Sequence, residues 1–171
     1  MKKGDVWISA VLYTALGIIL LTLILSAGLP VMKKIKDKNT AVQTKDMMLQ
    51  IDKSVRTVYS QGPGAQRPLT LDLRRGSLII DSQLDLVQWK FDSTVLLSEP
   101  GVKLQEGNLE ILTEMTGVEK QYETTFTLNY SYVVDLRSDM NEISGSNQLL
   151  ISNLGIEVPS QEIPNITITS L

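Results

Sequence analysis

The 171 residues include no cysteine and no histidine. Their absence removes disulfides, thiolate nucleophiles, Ser-His-Asp and Cys-His arrangements and the usual zinc cage, and with them most hydrolase and redox classes. Neither a phosphate-cradling glycine loop nor a dinucleotide fingerprint is present. There is no internal repeat and no segment of low complexity. Basic residues form no cluster in the C-terminal three quarters of the chain, so no nucleic acid partner is expected. Asp72, Asp81, Asp85 and Asp92 carry no glycosidase motif and read as the polar faces of strands. Asp81, Gln83 and Asp85 alternate, but no calcium-loop pattern surrounds them. No catalytic residue, metal site or cofactor is assigned.

One long uncharged segment is present. Val6 to Met32 is an apolar run bounded by Lys2 and Lys3 on one side and by Lys33, Lys34, Lys36 and Lys38 on the other. It exceeds the ~20 residues a helix needs to cross a bilayer's hydrocarbon core. It also exceeds the ~7–15-residue apolar core of an ordinary secretory signal. Ser26, Ala27 and Gly28 are small, but Pro30 and the lack of an A-x-A triplet argue against cleavage there. An uncleaved signal anchor is one reading. A leader cut ahead of the apolar segment, which then stays in the product, is another.

Lys2, Lys3 and Gly4, followed by Asp5 and GDVWISAVLYTALGIILL, carry a family likeness. A short basic leader ending in glycine and abutting an apolar helix resembles the class III signal peptide of type IV pilins, especially archaeal pilin-like proteins. The resemblance covers roughly the first third of the chain. It implies a leader of residues 1–4, cleavage by a prepilin peptidase between Gly4 and Asp5, and a filament of identical subunits bundled through their N-terminal helices. It further implies a subunit held in membrane lipid before assembly and displayed on the cell surface afterwards. Trp7, Ser9, Tyr13 and Pro30 would lie on the assembly helix. Many pilins have glutamate at the fifth mature position, where this chain has Ser9, so the carboxylate-to-amine contact of those filaments is missing here. The alternatives are a membrane-anchored extracellular binding module that never polymerises and a minor pilin or pseudopilin of a secretion-like machine.

The charge flanks pull two ways. Counting lysines on either side of the run places the C-terminal part in the cytoplasm. That part is acidic, however: residues 39–171 carry ten Lys and Arg against seventeen Asp and Glu. An acidic, cysteine-free domain is compatible with an extracellular address.

Past Met32 the pattern stays helical. Val31, Ile35, Val42, Leu49, Ile51, Val55 and Val58 recur mostly at spacings of three, four or seven, which predicts an amphipathic continuation over 33–60. The whole helix, 5–60, would be on the order of 80 Å long. A kink or local melting is expected at Gly28 and Pro30. Gln61 to Pro68, with two glycines and two prolines, ends it.

From 66 to 171 the period changes to two. Leu69 to Leu73, a turn at Arg74-Arg75-Gly76, and Leu78 to Ile80 read as strand, turn, strand. Val87 to Phe91 is another strand, and Val102 to Ile111 a hairpin. Tyr122 to Leu136 reads as one long half-buried strand, and Ser138 to Asn147 as a mobile loop. Leu149 to Ile151, Ile156 to Val158 and Ile166 to Ile168 are shorter strands. The expected fold is α+β, a long hydrophobic helix followed by an antiparallel β-rich head large enough for its own core. Two acceptor triplets, Asn129-Tyr130-Ser131 and Asn165-Ile166-Thr167, would both be exposed on polar strand faces and are candidate glycosylation sites.

Overall fold

Helical periodicity becomes one unbroken element. In the computed structural model, which describes residues 3–131, 133–156 and 163–171, helix α1 spans Lys3–Gln61 and includes Pro30. The expected melting at Pro30 is absent, because a proline there removes a single backbone donor from a helix that is otherwise continuous. Residues 1–36 and Asp37–Leu171 form two separate units. The second half of α1 therefore belongs to the same unit as the head.

That half buries Asp37, Ala41, Thr44, Met48, Ile51, Val55 and Val58. Their spacing alternates four and three, which keeps all seven on one stripe of the helix. Only the last three of the expected apolar set lie on it. Val31, Ile35, Val42 and Leu49 are exposed instead. Ala41, Thr44 and Asp37 take the stripe positions toward the start of this half, small or polar side chains that an apolar periodicity does not mark.

The head is one eight-stranded sheet in the order β3-β4-β5-β2-β1-β7-β8-β6. The strands are β1 Gln66–Asp81, β2 Leu86–Ser93, β3 Lys103–Glu106, β4 Leu109–Met115, β5 Tyr122–Asn129, β6 Asp135–Ser138, β7 Glu142–Gly155 and β8 Asn165–Ser170. All pairings are antiparallel except β6 with β8, which is parallel. Inward residues such as Leu71, Ile80, Val87, Trp89, Phe126, Leu128 and Ile151 share one core with the buried stripe of α1. Trp89 stacks on Phe91 at 4.4 Å between ring centres.

Four expectations about the sheet need correction. Arg74-Arg75-Gly76 does not turn the chain back; β1 continues through it, and its register with β7 shifts between Leu73 and Leu78. Gly76 supplies the left-handed conformation there, φ 76°, and a Cβ at this position would lie 2.1 Å from the Lys90 carbonyl oxygen. Only glycine fits. The strand expected over Tyr122 to Leu136 breaks after Asn129. The Asn129 side chain accepts the Ser131 N–H at 3.0 Å, and the Val133 and Val134 amides donate to the Tyr130 carbonyl. Of the face that alternation points inward, Thr124, Phe126, Leu128, Tyr130, Val134 and Leu136 are buried and Tyr122 is half-buried, while residue 132 falls outside the described residues. Of Ser138 to Asn147 only 139–141 form a loop, since β6 ends at Ser138 and β7 begins at Glu142; backbone pairing with β1 needs no apolar side chains on the outer face. Ile156 lies outside any strand, and residues 157–158 fall outside the described residues.

Candidate functional site: the N-terminal helix and its attachment

Between Trp7 and Lys36 every residue is exposed except the half-buried Gly28. Trp7 is 77% exposed and Tyr13 75%. The segment is hydrophobic all round, and α1 is long and apolar enough to cross a membrane, with a mean hydropathy of 2.5 in its most apolar window. A helix of this kind needs a lipid or protein solvent, and its own polar atoms must be satisfied internally. Its serine and threonine hydroxyls are: the Thr14 and Thr22 hydroxyls donate to the Ala10 and Ile18 carbonyls at 2.8 Å, and Ser26 donates to Leu23 at 2.9 Å. Ser9 also has a partner. Ala10, Thr14 and Ala15 leave a shallow groove between Trp7, Val11 and Ile18. Because the Thr14 hydroxyl is turned back on the helix, the groove floor offers no free polar group.

Gly4 and Asp5 lie within the helical backbone of α1, while Met1 and Lys2 of the expected leader fall outside the described residues. Pro30 is exposed on the same apolar segment. None of the assembly-helix residues converges with another chemical group, and what they share is membership of one uncharged surface.

The attachment of α1 to the head was not anticipated from sequence. Asp37, 1% exposed, is the only acid among Lys33 to Lys38. Its carboxylate accepts the Thr94 amide at 2.8 Å and the Thr94 hydroxyl at 2.7 Å, and it pairs with Arg75. Burial opposes its ionisation, but the Thr94 and Arg75 contacts outweigh that penalty and hold the carboxyl below its ordinary value of 3.8. Two turns further along, Lys45 bonds Glu106 of β3 at 2.7 Å. Asp52 then accepts from Asn108 at 3.1 Å, Tyr130 at 3.2 Å and Arg56 at 2.8 Å. At the helix end the buried Asn153 amide donates to the Val58 carbonyl at 2.9 Å. These four contacts tie α1 to strands distributed across the sheet. The signal that finds them is the four-three spacing that puts Asp37 on the buried stripe.

The two acceptor asparagines separate sharply. Asn129 is exposed, as expected. Asn165 is fully buried, contrary to expectation, as is Ile166 beside it, so neither face of β8 is open to solvent at this point. Asp81 and Asp85 do not align on a strand; Asp81 caps the turn by accepting the Gln83 and Leu84 amides, and Asp85 accepts the Leu136 amide. The chain matches no family model, no curated protein and no solved structure.

Proposed function

We propose that this chain is the structural subunit of a type IV pilin-like filament on a prokaryotic, specifically archaeal, cell surface. The observation that carries the reading is a charge-free helical segment, Val6 to Met32, exposed from Trp7 onward except at the half-buried Gly28 and separated from Lys2-Lys3-Gly4 by Asp5 alone. Glycine before the scissile bond suits a peptidase cleft because its backbone lies extended without a side-chain penalty. Once residues 1–4 are removed, the helix waits in the membrane and is then extracted into a bundle of identical helices. There it exchanges lipid contacts for helix contacts, and the shallow groove at Ala10, Thr14 and Ala15 gives a neighbouring backbone room to approach. Burial of ~20 apolar side chains at about 1.5–3 kcal/mol each gives tens of kcal/mol of gross driving force, so the free subunit has no stable place in water. The head forms the outer surface. No chemical step is assigned to it.

Intact-mass measurement on native protein tests the reading. A mature chain beginning at Asp5 supports it, and Gly4→Val should block processing and keep the protein in the membrane fraction. A chain that retains Met1 or Lys2 is an anchored module and not a processed pilin.

A further inference from the structure

The two Asn-X-Ser/Thr triplets are equivalent as sequence and opposite as structure. Asn165 opens β8 with its backbone paired to Gly155 of β7 and Asp135 of β6, and its side chain is fully buried. Reaching its Nδ2 requires unpairing β8. Asn129 ends β5 and is exposed. Its Oδ1 accepts the amide and the hydroxyl of Ser131, while its Nδ2 donates to no partner among the described residues. The nitrogen that would be modified is unclaimed.

The surface beside Asn129 is equally specific. Gln88 of β2, Thr127 of β5, Glu110 of β4 and Gln105 of β3 are cross-strand partners in one continuous row. Asn129 follows Thr127 by two residues and so projects from the same face. With Lys103, these residues line an open depression of about 350 Å³. Apart from Leu86, its lining is amide, hydroxyl and the paired Lys103 ammonium and Glu110 carboxylate, groups that donate to and accept from sugar hydroxyls. The row ends at β3, an unpaired sheet edge whose free backbone groups are a liability when uncovered.

We infer that Asn129, and not Asn165, is an N-glycosylation site, and that its glycan lies along the polar row from β5 to the β3 edge. The inference rests on the reading of the head as extracellular. The co-reactant is a lipid-phosphate-linked oligosaccharide, brought by a membrane transferase. The Asn129 Nδ2 forms a bond to C1 of the reducing-end sugar, and the C1–O bond to the lipid phosphate breaks. The phosphate leaves with the electron pair, the amide gives up one proton, and nothing is oxidised or reduced.

Glycopeptide mass spectrometry on protein from its native host decides the site. The peptide containing Asn129 should carry the added mass, and that containing Asn165 should not. Asn129→Gln and Ser131→Ala should each remove the whole mass shift, and Ser131→Thr should restore it. Thr167→Ala, which destroys the second triplet without disturbing the buried amide, should leave the shift unchanged. Amide exchange in β3 should be several-fold slower in the modified protein than in Asn129→Gln; equal exchange overturns the placement on the row. Because the chain has no cysteine, Ser144→Cys reports sidedness through a membrane-impermeant maleimide on intact cells. A labelled head with no sugar at Asn129, or with sugar at Asn165, overturns this inference and leaves the extracellular reading standing. An unlabelled head overturns both.

Discussion

Asp37 of α1 and Arg75 of β1 form an ion pair across 38 positions of sequence, with the carboxylate 1% exposed and the guanidinium 41%. Arg75 lies inside the register shift of β1, next to the glycine that makes the shift possible. A local irregularity in the sheet thus delivers a cation to the start of the buried helical stripe. The pairing also consumes the single acid of the segment from Lys33 to Lys38 and leaves the lysines Lys33, Lys34 and Lys36 exposed without it.

The first prediction follows from that carboxylate. Its pKa is lower folded than unfolded, so it contributes stability that is present above the ordinary value of 3.8 and lost as pH falls through the folded value. Asp37→Asn should cost about 1–3 kcal/mol at neutral pH, because the Thr94 donors and Arg75 lose a charged acceptor. Urea unfolding at a series of pH values is the measurement. The gap between wild type and Asp37→Asn should close on acidification below 3.8, and a gap independent of pH would rule out the charged latch.

The second prediction moves the boundary of the autonomous head. The strand pattern alone suggests that a chain starting near Gln66 suffices, but Met48, Ile51, Val55 and Val58 are each 2% exposed or less and belong to the same core as the sheet. Removing them forfeits roughly 1.5–3 kcal/mol of gross burial per side chain, comparable in sum to a domain's net stability. A fragment spanning 37–171 should be soluble, β-rich by circular dichroism and cooperative in unfolding. A fragment spanning 66–171 should aggregate or lose its near-ultraviolet signal, and cooperative unfolding of the shorter one would restore the earlier boundary.

The β-strands were legible where alternation was uninterrupted, as at Val87, Trp89 and Phe91, because period two follows from the pleat whatever the partner strand. Hairpins with glycine between them, such as Leu104 to Leu109 across Gly107, were legible for the same local reason. What failed was every inference in which a local signal met a distant partner. Arg-Arg-Gly reads as a turn until β7 is there to hold both halves of β1. The break after Asn129 accompanies a turn in which the Val133 and Val134 amides donate to the Tyr130 carbonyl, which alternation alone does not signal. Asn165 looked exposed because alternation gives a face but not what covers that face. The apolar run of α1 was legible throughout, since an unbroken hydrophobic segment needs no partner to be recognised.

A third prediction concerns Tyr130. Its hydroxyl is buried and donates to Asp52, and burial together with that carboxylate pushes its ionisation far above the ordinary value of 10.0. The neutral hydroxyl therefore contributes stability that is intact below pH 10 and declines as pH rises beyond it, where the unfolded tyrosine ionises. Tyr130→Phe should cost about 1.5 kcal/mol, the low end for a bond to a charged group, given its 3.2 Å length. A double-mutant cycle with Asp52→Ala in the 37–171 fragment should show coupling of at least about 0.5 kcal/mol. Strict additivity would mean that the two residues act independently.

The last prediction addresses Ser9, where the pilin-like pattern departs from its usual glutamate. A filament register set by apolar packing, without a buried carboxylate-to-amine pair, should hardly notice Ser9→Ala. A helical serine hydroxyl is satisfied by its own preceding turn, as Thr14 and Thr22 are, so its removal leaves no orphan charge. Ser9→Lys is different. In the membrane Ser9 lies near the start of the apolar run, where a lysine can extend its ammonium to the interface at little cost. Inside a bundle of identical helices the same ammonium shares its helix face with Leu12, Tyr13 and Leu16 of its own chain and meets apolar neighbours, and an unpaired lysine there costs about 2.5–3.5 kcal/mol or more per subunit. Because every subunit carries the substitution, the penalty repeats along the filament. Electron microscopy at matched membrane levels of subunit should therefore show normal filaments for Ser9→Ala and none for Ser9→Lys. Abundant filaments from Ser9→Lys would mean that this face of the helix is solvated, and the buried helical core would have to be given up.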